Sequence, residues 1–514
     1  MGYNKRFSQE ISTFHGRQAP ETAFLVGYGA IIDTLQLEMP IPYQLSIISK
    51  KHKKYELLEW KVFTPRYQPN ETLYDQLVFA LKYEGINLLF FKKLFETLTP
   101  AEIETLVLIV PQGLYCRKIW FLYEWLFDTK LSIFDLETGN YVPLLDMELQ
   151  YAIDGGEKLK RYRIINNLPG TRDFCPLVRK TQKLEQYIAS DLLAQNDRTL
   201  KGIHRDILLR TSAFLMLKDS KASFTIEGES PKSKRTARWA KVIGQAGGIE
   251  LSKEELLRLQ QVVIENERFV KMGLRKSGGF VGEHDRITGE PIPDHISARW
   301  QDVEQLVDGL LTTYNLQMKN EYSAIISAAS IAFGFVFIHP FEDGNGRIHR
   351  YLIHHILAKK QFTQQGIIFP VSASMLNHID DYRKVLESYS QPLLDFIEWK
   401  ETKKHNVEVQ NVTIDFYRYF DATKQTEFLY DCVNDTIQNI IPEEINYLIK
   451  YDEFKRYLDD DFEMPDNTVD LLIKFLEQNN GKLSNRAREK EFLLLTDIEV
   501  AKIEEKYHDV FIKS

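Results

Sequence analysis

Cysteine is scarce. The chain has three in 514 residues, Cys116, Cys175 and Cys432. Odd in number and widely spaced, they supply neither a disulfide framework nor a zinc spacing, and a reducing cytoplasm is the expected location. The first ten residues, MGYNKRFSQE, contain no apolar leader. Arg6 stands where a myristoylation signal needs Ser or Thr. The longest apolar run, 325–338, holds Ser327 and Ser330 and is too short to span a bilayer, so no membrane partner is expected. An excess of positive charge is also missing. The net charge is −8, which disfavours nucleic acid as the main partner. There is no internal repeat and no low-complexity tract. With 44% hydrophobic and 27% charged residues, the composition is that of a soluble chain with ample core. The length suggests roughly two to four domains.

What is present centres on His339-Pro-Phe-Glu-Asp-Gly-Asn-Gly-Arg-Ile-His-Arg350, between apolar runs at 325–338 and 351–357. A polar loop between two buried helices needs a partner for each donor and acceptor, and a ligand supplies them. Gly344 and Gly346 allow tight turning and close approach of the backbone. A helix beginning near Asn345 or Gly346 points free N–H groups and its positive end at the loop, which suits phosphate. Arg347 and Arg350, three apart, share a helix face and form a second phosphate clamp. Asp343 is a hard oxygen ligand suited to Mg²⁺. His339 can accept a hydroxyl proton near neutral pH. Asp-Gly-Asn-Gly alone is an ordinary turn, and the string lacks the alternating ligands of an EF-hand. The whole set, at this spacing, points to transfer of a phosphate-containing group from a nucleotide.

The string resembles the Fic-domain signature, His-x-Phe-x-(Asp/Glu)-Gly-Asn-Gly-Arg-x-x-Arg, at every fixed position. The resemblance implies a helical catalytic domain that moves AMP from ATP to a protein hydroxyl. It implies His339 as general base and Asp343 as Mg²⁺ ligand. Phe341 would anchor the loop, Gly344, Asn345 and Gly346 would form an anion hole, and Arg347 and Arg350 would hold the outer phosphates. Related Doc kinases usually carry Ala and Lys where this chain has Gly344 and Gly346, so AMP transfer is favoured over phosphorylation. Upstream, Ser223-Phe-Thr-Ile-Glu227-Gly228 resembles the family's inhibitory motif. There the Glu pairs with the second signature arginine, here Arg350, and competes with phosphate for one guanidinium fork. Read without the resemblance, this segment is a helix end with Gly228 as its cap.

Along the chain, residues 1–50 read as short helical pieces with breaks. Helices are expected at 73–98, 101–110 and 117–131, the last an aromatic core helix. Residues 1–160 thus read as a mostly helical domain that could recognise targets. A basic, glycine-marked stretch at 155–185 reads as a solvated linker. Helices at 180–195 and 203–217 lead into a Fic-like domain at 180–405. It would contain a capped helix at 252–266, a β-hairpin flap at 280–296 for pairing with a target segment, and helices at 299–314, 321–338 and 380–401. His349, His354 and His355 lack a helical metal spacing. A C-terminal helical domain follows at 410–514, with helices at 466–479, 485–492 and 497–507.

The fold class is therefore mainly α, a helical Fic-like core with a small hairpin flap and helical domains on both sides. The expected function is that of a Mg²⁺-dependent protein adenylyltransferase held low by Glu227. Its partners would be ATP and a target bearing a Ser, Thr or Tyr hydroxyl, with the chain itself and a homodimer left open. Two alternatives remain. Glu227 could align water so that AMP is also removed, or the protein could be an interaction protein with a silenced Fic core.

Overall fold

The computed structural model describes residues 6–264, 268–362 and 369–513. It is mainly helical, yet it opens on a sheet. His15 and Gly16 both have positive φ, the turn that matches strand twist in a two-residue hairpin. They join β1 (Glu10–Phe14) to β2 (Arg17–Val26). Helix α1 (Tyr28–Leu35) follows. Strands β3 (Leu45–Ile48), β4 (Tyr55–Glu56) and β5 (Trp60–Phe63) complete a sheet of order β1-β2-β3-β5-β4, parallel only between β3 and β5. The helical pieces expected over 1–50 are thus corrected to a mixed sheet with one helix.

Residues 73–98 form two helices instead of one, α2 (Leu73–Tyr83) and α3 (Leu88–Glu96). Gly85 breaks the run at φ +85°, and Asn87 caps α3 by accepting from Phe90 N–H. Helix α4 (Pro100–Leu108) starts from a Thr99–Glu102 capping box. In α5 (Leu114–Phe127), Trp120, Phe121 and Leu122 are buried, so its aromatics are core. Short strands β6 (Val142–Pro143), β7 (Glu157–Leu159) and β8 (Ile164–Asn166) form a second sheet.

The expected linker at 155–185 is not solvated. Arg161 pairs with the buried Glu124 at 2.8 Å. Leu168, Phe174, Cys175 and Leu177 are buried. A Cβ on Gly334 would fall 2.3 Å from the Phe174 ring, so this segment is packed against the central helices. One core runs from Phe7 through Ile445. Burial of the segment's apolar side chains outweighed the basic residues that made it look like linker.

The central part comprises α6 (Gln182–Ala189), α7 (Leu192–Leu200), α8 (Arg205–Ile226), α9 (Ser233–Ile243) and α10 (Lys253–Val263). Positions 265–266 of the expected 252–266 helix lie outside the described residues. The flap is present as β9 (Phe280–His284) paired with β10 (Pro291–Ile296). Helices α11 (Val303–Lys319), α12 (Ala324–Ile338), α13 (Asn345–Lys359), α14 (Val371–Asn377) and α15 (Ile379–Leu394) follow. The helix expected to reach Glu401 stops two residues after Pro392. Residues Trp399–Glu401 instead form β11, paired with β12 (Val407–Val409).

The boundary expected at 410 lies later. Helices α16 (Ile414–Arg418) and α17 (Thr423–Asp435) belong to the central core. Nearby, Phe420 packs edge-on to Phe337 of α12, ring centres 5.4 Å apart. Helix α18 (Ile441–Phe462) leads from that core into a separate one, shared with α19 (Asp466–Gln478), α20 (Asn485–Lys490) and α21 (Asp497–Tyr507). Among the described residues no helix is long and apolar enough to cross a membrane.

Candidate active site

Helix α12 is buried on nearly all sides. His339 ends it because Pro340 disfavours helical φ/ψ for the preceding residue. His339 takes a left-handed conformation, φ 54° and ψ 60°. Arg275 holds that turn. Its Nε donates to His339 O at 2.7 Å, Nη1 to Ser277 O at 2.9 Å, and Nη2 to Ala298 O and to Ile338 O at 3.3 Å. Burial pushes this guanidinium down to about 10.

His339 Nδ1 lies 3.3 Å from Val336 O. A carbonyl only accepts, so Nδ1 carries the proton and Nε2 keeps its lone pair. Burial, with Arg275 adding to it, lowers the imidazole to about 4, against the raising pull of Val336 O and Glu227. The ring is therefore neutral at physiological pH.

The loop is closed by Asn345, whose Oδ1 accepts from Phe341 N–H at 3.0 Å and whose Nδ2 donates to Phe341 O at 2.9 Å. Phe341 is fully buried, as an anchor should be. The Asn345 side-chain amide thus shapes the loop. Gly344 has φ +95° and donates to Asp343 Oδ1. The Asp343 side chain is 49% exposed, 3.0 Å from Arg347.

Both signature arginines are 2% exposed and both are taken by carboxylates. Arg350 donates from Nε to Ser223 Oγ at 2.9 Å, and from Nη2 to Ser223 O and Glu227 Oε1, each at 2.7 Å. Arg347 pairs with Asp343 and, at 2.7 Å, with Glu229. Burial raises the Glu227 carboxyl, but Arg350, Arg347 and His339 outweigh it and leave the pKa below its ordinary value. Around Arg350, burial works against the charge, and Glu227 with Tyr382 more than restores it.

Helix α8 delivers Ser223 and Glu227 because they sit four apart on one face. Asp219, a further turn back, accepts from His354 at 2.8 Å and from Ser372 N–H at 2.6 Å. Asp219, Ser223 and Glu227 thus meet His354 and Arg350 as a polar ladder between α8 and α13. The other two histidines are also structural: His349 Nδ1 donates to Ala332 O, and His355 bridges Gly247 N–H and Tyr314 OH. Among the described residues no group of three metal-binding side chains occurs.

Sequence reading passed over four residues at this site. Arg275 and Arg235 lie in stretches with no motif. Glu229 follows the inhibitory string by one residue. His295 of β10 donates from Nε2 to Phe337 O at 2.9 Å, its ring 6.5 Å from that of His339. No local sequence signal marks any of them. Only the fold brings them to the loop. A cavity of about 310 Å³, bounded by Tyr43, Lys61, Arg179 and Lys424, lies elsewhere, between the first sheet and α17.

Residues 250–357 match the Fic/DOC family. A Fido domain-containing protein of Dictyostelium discoideum is 35% identical over 115 residues, 22% of this chain and 73% of that protein. A Fic family protein from Desulfovibrio desulfuricans is similar at 16% identity and TM-score 0.36, over 66% of this chain and 92% of that one. A Fic domain-containing signaling protein from Bacteroides thetaiotaomicron is similar at 17% identity and TM-score 0.35, over 52% and 97%. The chain belongs to the Fic/DOC family, a family of transferases.

Proposed function

We propose that the chain moves AMP from ATP to a hydroxyl of a target protein and that Glu227 restrains it. The observation that carries this reading is the meeting of three features. They are a neutral His339 with a free Nε2, a glycine-bearing loop at the start of α13, and two buried arginines on the first turns of that helix. The hydroxyl oxygen attacks the α-phosphorus. A new P–O bond forms, the bond to the oxygen bridging to the β-phosphate breaks, and pyrophosphate leaves. The hydroxyl proton passes to His339 Nε2. The N-terminus of α13 and the guanidiniums of Arg347 and Arg350 stabilise the phosphate charge.

Asp343 would hold Mg²⁺. An exposed carboxylate beside phosphate-binding arginines suits a cation that takes one or two carboxylates and completes its shell with phosphate oxygens and water. Bound there, Mg²⁺ would neutralise charge on the phosphates. The exposed β9 strand supports a target segment pairing alongside the flap. Three buried free thiols suit a cytoplasmic location.

A second reading draws support from the place of Glu227, whose carboxylate lies against Gly346. From there it would align water on an AMP-modified target and remove the group.

The test is labelled ATP with wild type and Glu227→Gly. Label transferred from the α-phosphate only, stronger in Glu227→Gly and lost in His339→Ala, supports AMP transfer under restraint. Label from the γ-phosphate would mean a kinase and would sink the proposal. AMP release from a labelled target that requires Glu227 would establish removal. An ATP-independent partner unaffected by His339→Ala would favour an interaction protein.

A further inference from the structure

The chain leaves α8 through a tight turn. Gly228 has φ +74° and donates to Thr225 O at 2.9 Å, and Glu229 N–H donates to Phe224 O at 3.1 Å. These two bonds are the Schellman pattern at a helix C-terminus. The turn sends residue 229 back toward the loop, so a second carboxylate reaches the site two residues after the first.

Glu229 Oε1 lies 2.7 Å from Arg347 Nη1, and its Oε2 accepts from Arg235 Nη1. One carboxylate therefore bridges two guanidiniums. Arg235 comes from α9 and is steadied by Val263 O, 3.3 Å from Nη2. Both guanidiniums lie by the ring of the fully buried Phe224, Arg235 at 4.7 Å and Arg347 at 5.3 Å from its centre. Burial disfavours the Arg347 charge and Arg235 disfavours it further; Asp343, Glu229 and Glu227 offset only part of this, and the guanidinium stays below its ordinary value. Two like charges brought together under partial burial need an anion between them.

The geometry points to Arg235 and Arg347 as a two-arginine subsite for an outer phosphate of the nucleotide, filled in this structure by Glu229 as an internal anion. This rests on reading the loop as a nucleotide site. It adds a third arginine and a second restraining carboxylate to those the sequence pattern marks. The Glu229 side chain is 31% exposed, so it can leave the bridge without unpacking the core. An incoming phosphate offers two or more oxygens to the same pair of forks. A nucleotide with no outer phosphate gains nothing from the exchange.

The experiment is calorimetric titration of the full chain with ATP and with AMP, in the Glu227→Gly background so that Arg350 is already released from its carboxylate. Adding Glu229→Gln should tighten ATP binding about tenfold, equivalent to about 1.4 kcal/mol, and leave AMP binding within about twofold. Adding Arg235→Ala to that double variant should remove the gain. Glu229→Ala serves as a second variant, with thermal unfolding confirming that each is folded. ATP affinity unchanged by Glu229→Gln, or AMP tightened equally, overturns the subsite and leaves the nucleotide reading standing. Failure of every variant, Glu227→Gly included, to bind millimolar ATP overturns that reading and the subsite with it.

Discussion

A Cβ added to Gly346 would lie 2.1 Å from Glu227 Oε1. The second glycine of the loop is thus the space into which the carboxylate fits, at the start of α13, where helix geometry favours an anion. Gly346→Ala should force Glu227 from Arg350, as Glu227→Gly does. Each change should cost about 1–3 kcal/mol, since it leaves a buried guanidinium short of a hydrogen-bond partner. Because both act on one contact, the double variant should cost less than the sum by about 1 kcal/mol. Denaturant unfolding of the four proteins checks this, and full additivity would refute it.

Gly228 meets nothing within 4 Å of a built Cβ. Its requirement is therefore its left-handed backbone, not space. Gly228→Ala should destabilise by about 1–2 kcal/mol, and Gly228→Asn by less, because Asn tolerates that conformation better. Paired thermal melts decide between backbone strain and crowding, which would make Asn worse than Ala.

Arg275 is a buried cation whose described hydrogen bonds all go to carbonyl oxygens. Arg275→Met keeps much of the volume and strands those carbonyls, so a loss of about 3 kcal/mol or more is expected. The chemical shifts of His339 should move as well, because its left-handed turn loses the group that holds it. A stable variant with an unmoved His339 would contradict this account.

Histidine ionisation sets the acid limit. Burial lowers His339 and His355 to about 4 and His295 and His349 to about 3, from 6.5. Below pH 6.5 the unfolded chain takes up these protons and the folded chain does not. Their contribution is therefore complete above pH 6.5 and is lost as pH falls toward about 4. Each histidine adds up to about 1.4 kcal/mol per pH unit in that window. Stability measured from pH 8 to 4.5 should stay level and then fall steeply. AMP transfer by Glu227→Gly should not lose its base near pH 6.5, because the neutral ring persists below that. An activity midpoint at 6.5 would show that His339 titrates as an exposed histidine.

The sequence was most legible where chemistry is dense in a short stretch. The loop and both arginines lie within residues 339–350, and α13 keeps the spacing of Arg347 and Arg350; Glu227 lies far upstream, in a short motif of its own at the end of α8. The flap was placed within the right residues by the family resemblance, with Gly289 and Pro291 marking turns there. The first sheet was missed because β1 and β2 carry mixed burial patterns, with no clean alternation to distinguish them from broken helix. The His15-Gly16 turn was the available clue. The apparent linker near 155–185 misled because its arginines suggested solvent, while Arg161 is in fact paired with the buried Glu124. Arg275 could not be read because the carbonyls of Ala298, Ile338 and His339 that it holds lie far away in sequence; Glu229 and Arg235 are near neighbours, but Arg347, which gives their pairing its place at the loop, is distant.

The turn at Gly228 fixes both carboxylates to the end of one helix. On the proposed reading they would compete with an arriving anion as tethered ligands, at an effective concentration set by geometry and not by dilution. An anion that needs both arginines sees its affinity reduced by the fraction of time they are clear. A closed state favoured by about 2.8 kcal/mol would weaken it about a hundredfold. Raising the free anion overcomes this only in direct proportion, whereas a small shift of α8 removes both competitors together.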